Sequence, residues 1–513
     1  MSSEGPISFT PSDFMGDLGL QRRIQPIDLI LILAYLAGTT LLGVWFRKGQ
    51  KDIQTYFVGG REIPWWLVLV SIVATETSTV TFLSVPGLAF NPSGGSLVFL
   101  QLALGYIVGR LVVAFVLLPG YFQGEYLSAY EVLKKRFDHR VQRLASSIFL
   151  LTRTVADGLR LFLTALLLQL FTGWDMATSI LAMGAITIFY TWMGGMQAVL
   201  WTDCIQFFIY TAGALGAGVI LIGLIPGGWE GFLAAGNAAG KFNWIDLSAN
   251  PALPFTLWAG VLGGAFFSMA SHGADQIMVQ RYLCSKNINH ARVALISSGV
   301  VVFLQFLLFL LIGAGLFVLS HSGAWQLPEG IPNDQVFGRF IVEKLPVGMV
   351  GVVIAAVLAA AMSTLSSSLN SSASAGLADF YKPLRPGLPD EKYLRVSEWL
   401  TIFFGLAQVG VALAAWLINS PQGIINQVLS VAGLTTGMIL GLFLLGTLRK
   451  PVSSTAALLG VFIGFAAVMA VFIPASFGHT IVAWPWYAPI GALTTFFAAL
   501  AFNFFMVPQQ APK

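Results

Sequence analysis

The sequence predicts an all-α membrane protein of about thirteen transmembrane helices, grouped as two sets of five with one helix in front and two behind. Three observations carry that prediction. Of 513 residues, 56% are hydrophobic and only 10% charged, whereas soluble domains carry roughly 25% charged residues. Apolar runs of about 20 residues, the length that crosses hydrocarbon as a helix, recur along the whole chain, and a backbone in lipid must pair its amides within each crossing segment. Two of the runs are polar and interrupted at corresponding places, the pattern that an inverted repeat leaves in a sequence.

Taken in order, residues 1–26 are polar, end in QRRIQP and form an N-terminal segment expected outside the membrane. The run 27–46 lacks a small-residue cleavage site behind it and reads as a retained leading helix. The first five-helix set occupies 64–224, with spans near 64–90, 97–118, 140–172, 174–192 and 198–224. The second occupies 253–446, with spans near 253–282, 291–319, 344–379, 393–417 and 424–446; two peripheral helices follow within 453–506. In VSIVATETSTVTFLSVPGLAF (70–90) a polar cluster holding Glu76 precedes Pro86-Gly87, and in GVLGGAFFSMASHGADQIMVQR (260–281) paired glycines precede SMASHGADQ. These mark the first and sixth core helices as the broken ones. Trp65 and Trp66 are expected at the membrane interface. The loops 226–252 and 320–343 have room for short capping helices and for nothing larger.

The net charge of +4 is a matter of topology. Nineteen Lys and Arg fall in one set of alternate loops, Arg281 among them, and five in the other, while Arg110, Arg153 and Arg160 lie within spans. The positive-inside bias then puts the N-terminus outside and the C-terminus in the cytoplasm of a plasma (bacterial inner) membrane, with no nucleic-acid footprint. Two cysteines and five scattered histidines form neither a disulfide framework nor a metal cluster. No nucleophile–base pair stands out, so an enzyme is not expected, and neither is an organic cofactor or an obligatory protein partner. A channel is poorly served by two helices broken at mid-depth. A receptor or sensor on a transporter fold would need a signalling domain, and the chain ends shortly after the last span.

Candidate chemistry gathers in AAAMSTLSSSLNSSASA (359–375), where eight of the twelve positions 363–374 are Ser or Thr. On a helix Ser363, Ser366 and Ser367 share a face, with Thr364 turned about 100° away. Hydroxyls suit a hard cation when a carboxylate joins them, and Asp203 in AVLWTDCIQFFIY is a candidate, since an ionised Asp within a span costs about 2.5–3.5 kcal/mol and requires a reason to be there. The competing reading of the serines is close helix packing through small residues.

REIPWW, ATETSTVTFLSVPG, YTWMGGMQAVLWTDCIQ, ADQIMVQR and AAAMSTLSSSLNS, in this order and spacing from about 27 to 450, resemble the sodium:solute symporter family. The resemblance implies an inverted-repeat fold of the leucine-transporter type and import of a solute by alternating access, driven by sodium. It also implies a sodium site made by the carbonyls of Ala74, Thr77 and Ala360 with the hydroxyls of Ser363 and Thr364. A second site, found in the sialic acid branch, would use Asp203, Ser363, Ser366 and Ser367, which makes two sodium ions per cycle the expectation. Asp203→Ala is expected to weaken sodium dependence and leave folding intact.

For the solute, the resemblance points to Ser78, Thr81 and Gln101 beside the first broken helix and to Ser268 and Ser271 on the second. The arginine that sialic acid carriers place on the third family helix falls at Ala156, and a sugar-binding glutamine of the tenth falls at Leu429. Glu76, Asp157 and Arg160 are ionisable groups within spans and are functional candidates on that ground. Arg160 has three candidate partners: Asp157, Glu76 or a solute carboxylate. The preferred solute is a sugar or polyol; the alternative is a small organic acid, such as a sialic acid or monocarboxylate, held by Arg160. His272 is a candidate for proton coupling.

Overall fold

The computed structural model describes residues 25–46, 53–328, 330–418 and 435–506. Leu429, most of the 1–26 segment and the start of the 424–446 span lie outside the described residues. Among the described residues the structure is helical with no strand, only an isolated bridge between Ile63 and Ser285. The chain runs through α1 (Pro26–Phe46), the bent pair α2 (Trp65–Glu76) and α3 (Thr79–Phe90), α4 (Leu100–Val112), α5 (His139–Thr172) and α6 (Met176–Leu224). A second interrupted pair, α7 (Gly264–Gly273) and α8 (Gln276–Leu283), leads into α9 (Ile288–His321), α10 (Met349–Ala375) and α11 (Asp390–Leu417). α12 (Thr435–Gly446), α13 (Ser454–Ser476) and α14 (Tyr487–Met506) complete it. Among the described residues seven helices are long and apolar enough to cross a membrane, and the α2–α3 pair, bent by 63°, makes an eighth span if counted as one. α6 is 49 residues long because two helices join at Gly195, whose φ of 55° and ψ of −161° turn the chain where a side chain would be strained.

α10 is buried along almost its whole length, which explains how a hydroxyl-rich helix lies at membrane depth: its polar groups meet protein, not lipid. Its N-terminus is held by Asp28 of α1, whose Oδ1 accepts from the amides of Gly348 and Gly351 at 2.8 Å each, two of the donors that a helix start leaves unpaired. Small residues bring α4 against α7: a Cβ on Gly109 would stand 2.3 Å from the Ala265 carbonyl, so only glycine permits that approach.

Of the two features that mark the first broken helix in the sequence, the polar cluster around Glu76 holds the break and Pro86-Gly87 does not. Pro86 sits inside α3, and the chain leaves helical geometry at Thr77 (φ −80°, ψ 93°) and Ser78 (φ −90°, ψ 170°). Serine and threonine hydroxyls compete with the helix for backbone partners, and Ser78 Oγ caps α3 by accepting from the Thr81 amide. Pro86 is accommodated by its neighbours, since Gly313 of α9 packs directly on its carbonyl. The loops carry short helices at Gly228–Ala238 and Val336–Lys344.

Lys241, 2% exposed, closes the far end of α3. Its ammonium donates to the carbonyls of Ala89, Phe90, Asn91 and Gly95 at 2.8–3.2 Å and lies 3.8 Å from the Phe317 ring centre. A cation at a helix C-terminus is favourable. Lys241→Met is expected to lower the apparent melting temperature in detergent by roughly 2–5 °C, from the loss of charge-assisted hydrogen bonds worth about 1.5–3 kcal/mol; an unchanged melting curve would refute the clamp.

Candidate functional site

At the end of α2 the Ser78 amide turns to the Glu76 carbonyl at 3.1 Å. In a continuous helix it would bond to the carbonyl of Ala74, four residues back, so the break frees an acceptor there. Opposite, Thr364 Oγ1 of α10 donates toward the carbonyls of Thr75 (3.2 Å) and Ala360 (3.3 Å). The residues expected for the first sodium site thus come from two neighbouring elements. Thr77 is buried, and its hydroxyl donates toward Val73 O at 2.9 Å and Gln305 Oε1 at 3.0 Å while accepting from Tyr210.

Asp203 also meets the serines. Ser363 Oγ donates to its Oδ1 at 2.6 Å, and Ser71 Oγ donates to Oδ2 at 2.5 Å. Arg281 enters the same cluster: its Nη2 donates to Asp203 Oδ2 at 2.9 Å, to Ser367 Oγ at 2.5 Å and to Thr75 Oγ1 at 2.5 Å, and its Nε to Ser71 Oγ at 2.8 Å. Arg281 therefore is no loop charge: it and Asp203 are both 0% exposed, and the guanidinium engages two of the oxygens expected for a second sodium ion. Ser366 Oγ donates to the Ser363 carbonyl at 3.2 Å instead.

A small cavity of about 10 Å³ opens beside the first break, lined by Ser78, Thr79, Arg160, Leu163, Thr164, Ala361 and Thr364. Of the solute candidates it holds Ser78 and Arg160, with Thr81 hydrogen-bonded to Ser78 at 3.4 Å and Asp157 paired with Arg160. Gln101 is turned to backbone: its amide nitrogen donates to Phe255 O at 2.8 Å and Val98 O at 3.3 Å, and its oxygen accepts from the Asp246 amide at 3.2 Å. Ser268 Oγ donates to Tyr106 O at 3.0 Å, and Ser271 Oγ to Ser268 O at 3.3 Å.

Glu76 pairs with Arg110, not Arg160. Arg110 Nη2 donates to both carboxylate oxygens at 2.6 and 2.5 Å, and its Nη1 to Ser298 Oγ at 2.6 Å. His272 Nε2 lies 2.9 Å from Glu76 Oε1 and its Nδ1 2.7 Å from the Tyr282 hydroxyl. With Nε2 protonated, a neutral imidazole donates to Glu76 and accepts from Tyr282, so both ring nitrogens are satisfied without a further proton. The Arg110 and His272 side chains are 0% exposed and that of Glu76 is 19% exposed, so Glu76 is the one of the three with accessible side-chain surface. Arg110, Ser71 and Thr75 are functional neighbours beyond the expected set; their signals in the sequence are an arginine within a span and an i, i+4 spacing that puts both hydroxyls on one face of α2.

A helical membrane bundle with freed carbonyls at a helix break, beside a cavity into which a charged side chain reaches, is the architecture of a small-solute carrier. The chain belongs to the sodium:solute symporter family, whose model matches residues 56–464, and is a sodium-coupled transporter. It is 32% identical over 454 residues to the sodium/sialic acid symporter SiaT of Proteus mirabilis (strain HI4320), covering 86% of this chain and 89% of that protein. Over 446 residues it is 27% identical to the human sodium-coupled monocarboxylate transporter 1, covering 86% and 72%. The solved substrate-bound outward-open state of a Na+-coupled sialic acid symporter superposes with a TM-score of 0.83 at 30% identity, over 94% of this chain and 99% of that one.

Proposed function

We propose that this protein imports a small organic anion with sodium, and that Arg160 binds the solute carboxylate. The observation that carries this reading is Arg160 on the cavity wall with Ser78, Thr79, Thr164 and Thr364. A guanidinium matches a carboxylate in two-pronged geometry, and Arg160 stands one helical turn beyond Ala156, where the resemblance expects an arginine. Glu76 is already neutralised by Arg110, which removes it as the counter-charge for a cationic solute. The organic acid therefore displaces the sugar or polyol as the preferred solute, in keeping with the sialic acid and monocarboxylate named for the two relatives.

In this reading Ala74, Thr77, Ala360, Ser363 and Thr364 hold the first sodium ion. A second ion at Asp203, Ser363, Ser366 and Ser367 requires Arg281 to swing away. The sets 64–224 and 253–446 act as the inverted repeat, with the N-terminus outside and the C-terminus in the cytoplasm. Uptake of radiolabelled sialic acid and of pyruvate into proteoliposomes under an inward sodium gradient tests the reading. Accumulation of one of them is expected, and Arg160→Gln should raise its KM at least about tenfold, the equivalent of about 1.4 kcal/mol. Sodium-driven uptake of a neutral sugar that carboxylates do not inhibit would overturn it.

A further inference from the structure

We propose that a row of four alternating charges, Asp275, Arg153, Asp157 and Arg160, links the solute cavity at the first helix break to the second broken helix, so that an anion bound at Arg160 loosens the start of α8. The proposal rests on the reading of Arg160 as an anion binder.

Arg153, Asp157 and Arg160 stand at i, i+4 and i+7 on α5 and form one stripe, about 10 Å long at 1.5 Å per residue. At the cavity end Arg160 Nη1 donates to Asp157 Oδ1. The next link is loose: Arg153 Nε lies 3.5 Å from Asp157 Oδ2, and that oxygen is buried with no hydrogen-bond partner. At the far end Arg153 Nη2 is 3.3 Å from Asp275 Oδ2. Asp275 stands in the break between α7 and α8, where its Oδ1 caps α8 by accepting from the Ile277 amide at 2.8 Å. The row thus touches both breaks, and its two positive and two negative charges cancel.

Burial decides what happens when a solute enters. The Asp157 side chain is 0% exposed, whereas those of Arg160, Arg153 and Asp275 are 20%, 16% and 17% exposed. Asp157 is a built-in stand-in for the solute: its carboxylate holds Arg160 while the cavity is empty. A solute carboxylate that engages Arg160 takes away its strongest partner, and a buried carboxylate cannot be left uncompensated. Arg153 is the cation already beside its unsatisfied oxygen. Drawing Arg153 toward Asp157 weakens the hold on Asp275 and frees the α8 cap, which favours the conformation in which the second broken helix has moved; a ligand shifts such an equilibrium by its differential affinity for the two states. Asp157 and Arg153 act through Arg160 and are positioning residues.

The test uses the full chain in proteoliposomes, with radiolabelled sialic acid and pyruvate as probes, and compares the parent with Asp157→Asn, Arg153→Gln and Asp275→Asn. Asparagine caps helices about as well as aspartate, so Asp275→Asn removes the charge link and keeps the cap. Expected for Asp275→Asn and Arg153→Gln is a fall of at least about fivefold in maximal rate per folded molecule with KM within about twofold, the split that marks a lost conformational step rather than lost binding. Asp157→Asn, which removes the internal competitor, should lower KM as well as the rate, and Asp157→Glu should restore both. Variants that keep the parent's rate and KM, or differ only in melting temperature, overturn the row and leave the anion reading standing. A parent that accumulates neither probe overturns both. If Asp157→Asn or Arg153→Gln does not fold, Asp275→Asn, whose residue is partly solvated, decides.

Discussion

Asp203→Ala is expected to cost this transporter its folded state before it costs its sodium dependence. The sequence alone suggests the opposite, because an Asp among serines reads as an ion ligand that can be removed without damage. In the structure Asp203 is the counter-ion of Arg281, and both are fully buried. Removing one partner of such a pair leaves an uncompensated charge and typically costs about 3–5 kcal/mol, a large share of the roughly 5–15 kcal/mol that holds a domain together. The yield of monodisperse protein after detergent extraction should collapse for Asp203→Ala. It should recover in Asp203→Asn/Arg281→Gln, which keeps the shape and removes both charges. If the Asp203 oxygens also hold sodium, the recovered double variant requires at least about tenfold more sodium for half-maximal uptake. A normal yield for Asp203→Ala would refute the pairing, and a parent-like sodium activation curve for the double variant would remove the second ion.

Arg110→Gln carries the second large effect. Glu76 would keep only the neutral imidazole of His272 and would face the interior as a bare carboxylate, two residues from Ser78 on the cavity wall. Unlike charges at the surface, this one is little screened by salt. Uptake of an anion should fall by about 100-fold or more, through repulsion and through loss of the bond network that joins α2, α4, α7 and α9. Glu76→Gln/Arg110→Gln restores neutrality and should recover much of the rate, so the two substitutions are strongly non-additive. Additive effects on uptake would show that Glu76 and Arg110 act separately.

Much of the helical layout was legible because hydrocarbon imposes length and apolarity on each crossing segment. Spans expected at 140–172, 291–319 and 393–417 appear as His139–Thr172, Ile288–His321 and Asp390–Leu417. The sequence offered two marks of a break in the first core helix, the polar cluster around Glu76 and Pro86-Gly87; packing against α9 keeps Pro86 helical, and the chain opens in the cluster, at Thr77 and Ser78, where side chains offer the backbone other partners. Arg281 shows the limit of counting charges by loop. A positive residue near a helix end is ordinarily solvated; here the hydroxyls of Ser71, Thr75 and Ser367, the Ile277 carbonyl and the Asp203 carboxylate make its burial tolerable.

The sequence by itself determined that this protein is a helical membrane protein with a hydroxyl-rich segment and an aspartate at membrane depth, because hydropathy and polar residues within spans are properties of single segments. Only the tertiary structure decided which charges neutralise one another between helices: Glu76 goes to Arg110 and Asp203 to Arg281. Electrostatic pairing depends on distances between helices far apart along the chain, and no periodicity within one helix encodes which neighbour it will meet.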